Sequence, residues 1–351
     1  MRQTFAILAI CIASTSASSF LDFQFTEYHE RSLDPKFKLD KHFGIGNDTF
    51  TKMTGRFRFG SQKSADQTFF ATYWSPGQSQ LIQPWMINAL IFVAHGYAEY
   101  LSNDYDEIAR HWSQQIGNGA LVFGHDHAGH GRSTVGERAL VEAIKDFTGP
   151  IIAHIREMKK LTEIGDKKLP VFIAAHSMGG LISLNAILEH PALFDGFIGI
   201  GPLVKIAPSH DTPEIRNVTK RYGESDPSLI LMPDIDVKLI TRDVEQLKSK
   251  KNDTLKYHGG IQAGMAWLMF QETDKLQNNL GQIELPMLVL QGQRDQIVDP
   301  KGARMLYQNA NSADKEYKEY PGAYHQLLVE LQDVRDDVIE RTTNWLNERM
   351  P

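Results

Sequence analysis

The chain has 351 residues, with 43 acidic and 37 basic side chains and a formal net charge of −6. This length admits one large α/β domain or two ordinary ones, and an apolar fraction of 42% with 23% charged residues excludes a disordered chain. The acidic balance leaves no basic footprint for nucleic acid and argues against holding an anionic membrane by charge alone.

The chain opens on Arg2, an apolar run over 5–13 and small residues over 14–19. A basic start, a short apolar core and a cleavable end predict a signal peptide over 1–18, too short for a membrane span. Cys11, the only cysteine, falls inside it. The mature chain is therefore expected to be secreted, with neither disulfides nor a thiol nucleophile. Sequons at Asn47, Asn217 and Asn252 agree with secretion and glycosylation.

Segments 49–60 and 66–74 alternate apolar and polar residues, which predicts an N-terminal antiparallel pair. Short apolar runs follow at 89–94, 120–124, 171–175, 196–200 and 287–291, separated by helical patterns over 104–116, 137–164 and 178–190. Continuous apolar strands alternating with helices predict an α/β fold, a mostly parallel sheet covered on both faces. Between 201 and 285 the alternation fails, and apolar residues over 228–240 and 261–280 predict helices. The expected organisation is a core in two parts, 19–202 and 286–351, with an inserted helical cap over 203–285.

The chemistry centres on residues 170–180, where an apolar strand ends in His176-Ser177-Met178-Gly179-Gly180 and a helical pattern begins. Strand, sharp turn and helix would lift the Ser177 hydroxyl above the sheet and aim a helix N-terminus at it. A serine capping a helix after a buried strand would look the same over so few residues, so the reading depends on what other strand ends supply. After 287–291 comes Gly292-Gln293-Arg294-Asp295, and after the strand-like run 315–320 comes Gly322-Ala323-Tyr324-His325. The order serine, acid, histidine is that of an α/β-hydrolase triad. Ser177 is read as nucleophile, His325 as base and then acid, and Asp295 as the group that orients the imidazole. The rival acid, Asp299, precedes Pro300 and a helical stretch and reads better as a helix cap. After 89–94, His95-Gly96-Tyr97-Ala98-Glu99 can turn the Tyr97 N–H toward the serine, so Tyr97 and Met178 are the expected oxyanion donors.

The run His125-Asp126-His127-Ala128-Gly129-His130-Gly131-Arg132-Ser133 lacks helical metal-ligand spacing. It is read as a hydrogen-bonded loop shaping the pocket floor, with no metal. Neither a phosphate-cradling glycine loop nor a dinucleotide fingerprint is present, so no cofactor is expected.

Taken together, His95-Gly96 with Glu99, the 125–133 loop, His176 to Gly180, Leu290-Gln291-Gly292 with Asp295, and Gly322 to His325 resemble the monoglyceride lipase family of α/β-hydrolases. The resemblance runs from about residue 50 to the end. It implies an α/β-hydrolase fold whose cap meets a membrane or lipid surface, and cofactor-free hydrolysis of monoacylglycerols to glycerol and fatty acid. It also places Glu99 near the glycerol end of the substrate. Three features depart from the family pattern: Ala175 replaces the first glycine of the serine motif, Tyr97 stands where a smaller residue is frequent, and Leu101-Ser102-Asn103-Asp104 offers no arginine after the glutamate. A lysophospholipase or general carboxylesterase on the same triad, and a lipid carrier without turnover, are the alternatives.

Overall fold

The structure, a computed structural model, describes residues 23–25, 50–57, 59, 68–77, 82, 84–101 and 103–351. The leader, Cys11 and the Asn47 sequon lie outside the described residues. The chain forms β1 (Phe23–Phe25), β2 (Phe50–Phe57), β3 (Phe69–Pro76), β4 (Ala89–Ala94), α1 (Asn103–Gln115), β5 (Ala120–His125), α2 (Lys145–Thr162), β6 (Val171–His176), α3 (Met178–Glu189) and β7 (Gly196–Ile200). It continues with α4 (Pro213–Ser225), β8 (Ile230–Met232), α5 (Val244–Lys251), β9 (Ile261–Gln262), α6 (Ala263–Asn279), β10 (Met287–Gly292), α7 (Pro300–Asn309), β11 (Lys315–Tyr320) and α8 (Gln332–Asn347).

Among the described residues nine strands make one sheet in the order β1-β2-β3-β5-β4-β6-β7-β10-β11. The first three strands join antiparallel, as does β3 to β5, and from β5 to β11 every pairing is parallel. The expected antiparallel pair is therefore β2 with β3, appended to the parallel sheet that the apolar runs predict.

The central strands are apolar on both sides because both faces are covered. Phe92, Ile173 and Val289 point into a core shared with Ile151 of α2 and Leu181 of α3. Their neighbours Ile91, Phe172 and Leu288 point the opposite way, onto Trp112 of α1 and Trp345 of α8. Side chains alternate across a strand, so one run of residues feeds two cores. Each fully buried large apolar side chain contributes about 1.5–3 kcal/mol, which fixes the strands beneath the site.

Two predicted helices differ. The helix expected over 137–164 begins only at Lys145, because Gly136 and Ala139 take left-handed φ values of 79° and 57° and form turns instead. The helix expected over 228–240 is absent. Ile230–Met232 form β8, which pairs with β9, and a single 3-10 turn at Val237–Leu239 follows. Pro233 explains this: it holds its predecessor extended and cannot donate within a helix. Conversely, α4 is a helix that the apolar pattern does not reveal. Its signal is local: Thr212 caps it by accepting from the Ile215 N–H, and Pro213 occupies its first turn. The whole insertion from α4 to α6 sits in sequence between β7 and β10.

Candidate active site

Ser177 sits between β6 and α3 at φ 53° and ψ −121°, a left-handed conformation for a residue with a side chain. Such strain costs on the order of 1–3 kcal/mol and persists only where the surroundings impose it. They do so here. A Cβ on Gly179 would collide with the Ala94 carbonyl, and one on Gly180 would lie 2.6 Å from Pro202. Only glycines let α3 approach β4 and the loop after β7 this closely. Ala175 fits in place of a glycine, since it pairs in register with Ala94 on one side and Gly199 on the other.

Three strand ends converge on this elbow. The His325 Nδ1–H donates to Asp295 Oδ2 at 2.7 Å, which leaves Nε2 to accept from the Ser177 hydroxyl at 2.9 Å. All three side chains are buried. Asp295 Oδ2 also accepts from Gln291 Nε2 at 2.9 Å, while Oδ1 accepts from the N–H groups of Ile297 and Val298 at 2.9 and 3.0 Å. Burial pushes this carboxyl up, but the His325 ring and these hydrogen bonds outweigh it and hold the group below its usual range. Asp299 does not join the relay. It caps α7, accepting from the Lys301 N–H at 3.0 Å.

The loop carrying His325 is tied to the insertion. Glu330, fully buried, accepts from the Tyr324 N–H at 2.8 Å and from Arg242 Nε at 2.9 Å. The Gln326 N–H donates to the Ile240 carbonyl at 2.9 Å. Both neighbours of the imidazole thus lean on residues 240–242.

Met178 is the first residue of α3, and its N–H lies at the positive end of that helix. Among the described residues neither this N–H nor that of Tyr97 is engaged by another group. The Tyr97 turn is braced from below: the His127 N–H donates to His95 Nε2 at 2.9 Å, and His95 Nδ1–H donates to the Gly96 carbonyl at 2.8 Å. The 125–133 loop therefore does not form the pocket floor. None of its residues lines the cavity. It supports the Tyr97 turn, because its apolar and aromatic contacts, including His130 against Tyr97 at 5.7 Å, draw it into the core.

The cavity above Ser177 is lined on one side by Gly96, Tyr97, Glu99, His176 and His325, and on the other by insertion residues including Ile235, Ile240, Lys250, Lys256 and Tyr257. Glu99 Oε2 accepts from Tyr105 Oη at 2.7 Å, the Gly96 N–H at 3.0 Å and His176 Nδ1 at 3.1 Å. Burial pushes Glu99 up, yet His176, Lys256 and Lys250 outweigh it, so it is held well below the usual carboxylate range. Lys250 and Lys256 both reach Asp104 Oδ2, at 2.6 and 3.3 Å. Sequence reasoning missed these lysines: Ser249-Lys250-Lys251 reads as a solvated charge run, and only the folded insertion turns Lys250 inward. Among the described residues no group of histidine, cysteine and carboxylate side chains is placed to hold a metal ion.

A mostly parallel sheet with a strained serine between its central strand and the next helix, and a histidine and an acid delivered from later strand ends, defines the α/β-hydrolase class. The chain matches the family described as serine aminopeptidase, S33, over residues 86–332. It is 34% identical to monoglyceride lipase of Homo sapiens over 283 residues, 81% of this chain and 88% of that protein. It is 32% identical to the Rattus norvegicus enzyme of the same name over 284 residues, again 81% and 88%. Among solved structures, a soluble variant of monoglyceride lipase from Saccharomyces cerevisiae in complex with a substrate analog shares the fold with a TM-score of 0.71. That match is 24% identical and covers 83% of this chain and 94% of the other. The chain belongs to the monoglyceride lipase family.

Proposed function

We propose that the protein hydrolyses monoacylglycerols to glycerol and free fatty acid. The observation that carries this reading is the relay from Ser177 Oγ through His325 to Asp295, with steps of 2.9 and 2.7 Å. Ser177 attacks the ester carbonyl as His325 Nε2 takes its proton. The oxyanion is received by the N–H groups of Tyr97 and Met178, where each donor contributes a factor of about 10²–10³. Glycerol leaves with the proton from His325. Water, deprotonated by the same ring, then splits the acyl-enzyme and restores the serine. Asp295 holds the ring and balances its charge throughout, and Glu99 faces the glycerol end. The family membership supports this substrate class over a carrier role.

Residues 203–285 act as the cap in this reading. Four of the seven large apolar side chains exposed among the described residues belong to it: Val218, Leu229, Ile230 and Val244. Their exposure supports transient contact of the cap with lipid in this proposal. No helix among the described residues is long and apolar enough to cross a membrane. Secretion after removal of 1–18, with glycans on Asn217 and Asn252, completes the proposal, and both asparagines are exposed.

The test is oleate release from monooleoylglycerol by protein collected from the medium of expressing cells, with Ser177→Ala as control. A fall of at least about 10⁴-fold is expected in the variant. Equal turnover by both proteins sinks the catalytic assignment, and protein retained inside the cell sinks secretion.

A further inference from the structure

The cavity wall contributed by the insertion has a chemistry of its own. Lys256 lines the same cavity as Ser177, Glu99 and His325, and its side chain is 9% exposed. Its one hydrogen bond among the described residues goes to Asp104 Oδ2 at 3.3 Å, a long and loose contact. Lys250, 1% exposed, holds the same oxygen at 2.6 Å and is the structural partner of the two. An ammonium carries three N–H donors. Lys256 thus brings donors to the cavity that Asp104 does not use up. Burial pushes its pKa down, but Asp104 and Glu99 more than offset this and raise it, so the group is charged at neutral pH.

The Glu99 carboxylate supplies an acceptor on the same cavity. A donor from the insertion and an acceptor from the turn after β4 therefore line one cavity with the nucleophile. On the lining itself the charges balance, Lys250 and Lys256 against Glu99 and Asp234, while Asp104 pairs with both lysines. A balanced wall gives no net attraction for a phosphate, whereas paired donor and acceptor match the hydroxyl groups of a neutral polyol.

We propose that Lys256 is a specificity-determining residue that hydrogen-bonds the hydroxyl groups of the alcohol half of the substrate, and that with Glu99 it selects esters of a neutral polyhydroxyl alcohol over simple alkyl and phosphorylated ones. This rests on the ester-hydrolase reading above and goes beyond it by naming the residue that reads the alcohol. A charge-assisted hydrogen bond contributes about 1.5–3 kcal/mol, which corresponds to roughly tenfold or more in selectivity.

The experiment measures kcat/KM on 1-monooleoylglycerol, methyl oleate and 1-oleoylglycerol 3-phosphate for the full secreted chain and for Lys256→Met and Lys256→Arg. The unaltered protein is expected to prefer the glycerol ester over both others. Lys256→Met should cut the ratio of glycerol ester to methyl ester about tenfold, mainly through KM, and Lys256→Arg should restore most of it. Should the Met variant fail to fold, Lys256→Leu replaces it, with the same ratio read. A preserved ratio in the apolar variants, or an equal loss on both esters, overturns the role of Lys256 while leaving monoacylglycerol hydrolysis standing. An unaltered protein with no preference for the glycerol ester overturns the substrate class itself, and a preference for the phosphorylated ester overturns the charge-balance argument.

Discussion

Two carboxylate–imidazole pairs stand side by side in this molecule, and they are built for different ends. Asp295 holds His325 at 2.7 Å, and the far nitrogen of that ring meets the Ser177 hydroxyl at 2.9 Å. Glu99 holds His176 at 3.1 Å, with the two imidazole rings 4.8 Å apart, yet among the described residues the buried far nitrogen of His176 meets no hydrogen-bond partner. An acid beside an imidazole does not make a general base. A hydroxyl at the second nitrogen does. The rest of each acid differs too: Asp295 is anchored by backbone N–H groups that fix its angle, whereas Glu99 is shared among a tyrosine, a backbone amide and a histidine in the cavity wall. The first pair is arranged for proton transfer, the second for shape and charge.

Substitution of each acid by its amide breaks this comparison most directly. Asp295→Asn presents the wrong partner to Nδ1–H and favours the other tautomer, so kcat on monooleoylglycerol should fall about 10⁴-fold with KM little altered. Glu99→Gln leaves the relay intact and disturbs positioning, so kcat/KM should fall by about 10², mostly in KM. Steady-state kinetics on both variants decide it, and equal losses would mean that the pairs are not distinct.

Two deeply buried imidazoles sharpen the contrast through pH. Burial lowers His130 to about 4 and His154 to about 3 from an ordinary 6.5. In the unfolded chain these rings take up protons below pH about 6.5, whereas in the folded chain they resist until about 4 and 3. The unfolded state binds more protons across that window, so stability is lost as pH falls through it. At pH 5 each ring contributes a loss of about 2 kcal/mol. Denaturant midpoints at pH 7 and pH 5 measure this, and an unchanged midpoint would show that the rings protonate in place.

The smallest expected effect concerns the unused acid. Asp299→Ala removes the cap of α7 and should lower stability by about 1 kcal/mol, seen in the melting temperature, with turnover within about twofold of the unaltered chain. A 10³-fold fall in turnover would instead place Asp299 in the relay.

The parallel strands and the elbow were legible because fully covered strands must be apolar throughout, and because a sharp turn after β6 demands small neighbours for Ser177. Asp295 and His325 were legible as side chains just past strands, where open sheets present their ligands. What stayed hidden depends on the insertion. Nothing local to Lys250 or Lys256 distinguishes them from surface lysines, since their burial arises from docking on residues 98–104, where the Tyr257 N–H meets the Ala98 carbonyl at 3.1 Å. Residues 228–240 misled because apolar content was weighed above Pro233, which rules out a helix there. The role of the 125–133 loop was misplaced for a similar reason: glycines mark a turn but not which side of the sheet its side chains serve.

The bonds from Glu330 and Gln326 to residues 240–242 bear on how this enzyme could be trimmed. An engineer who deleted residues 203–285 to obtain a smaller catalyst would remove β8 and β9 but spare every strand of the large sheet and the serine itself. The same deletion would strip the histidine loop of its two outside supports and leave the buried Glu330 side chain without its Arg242 partner. A minimal version of this protein must therefore carry a replacement for Arg242 before it can be asked to turn over an ester.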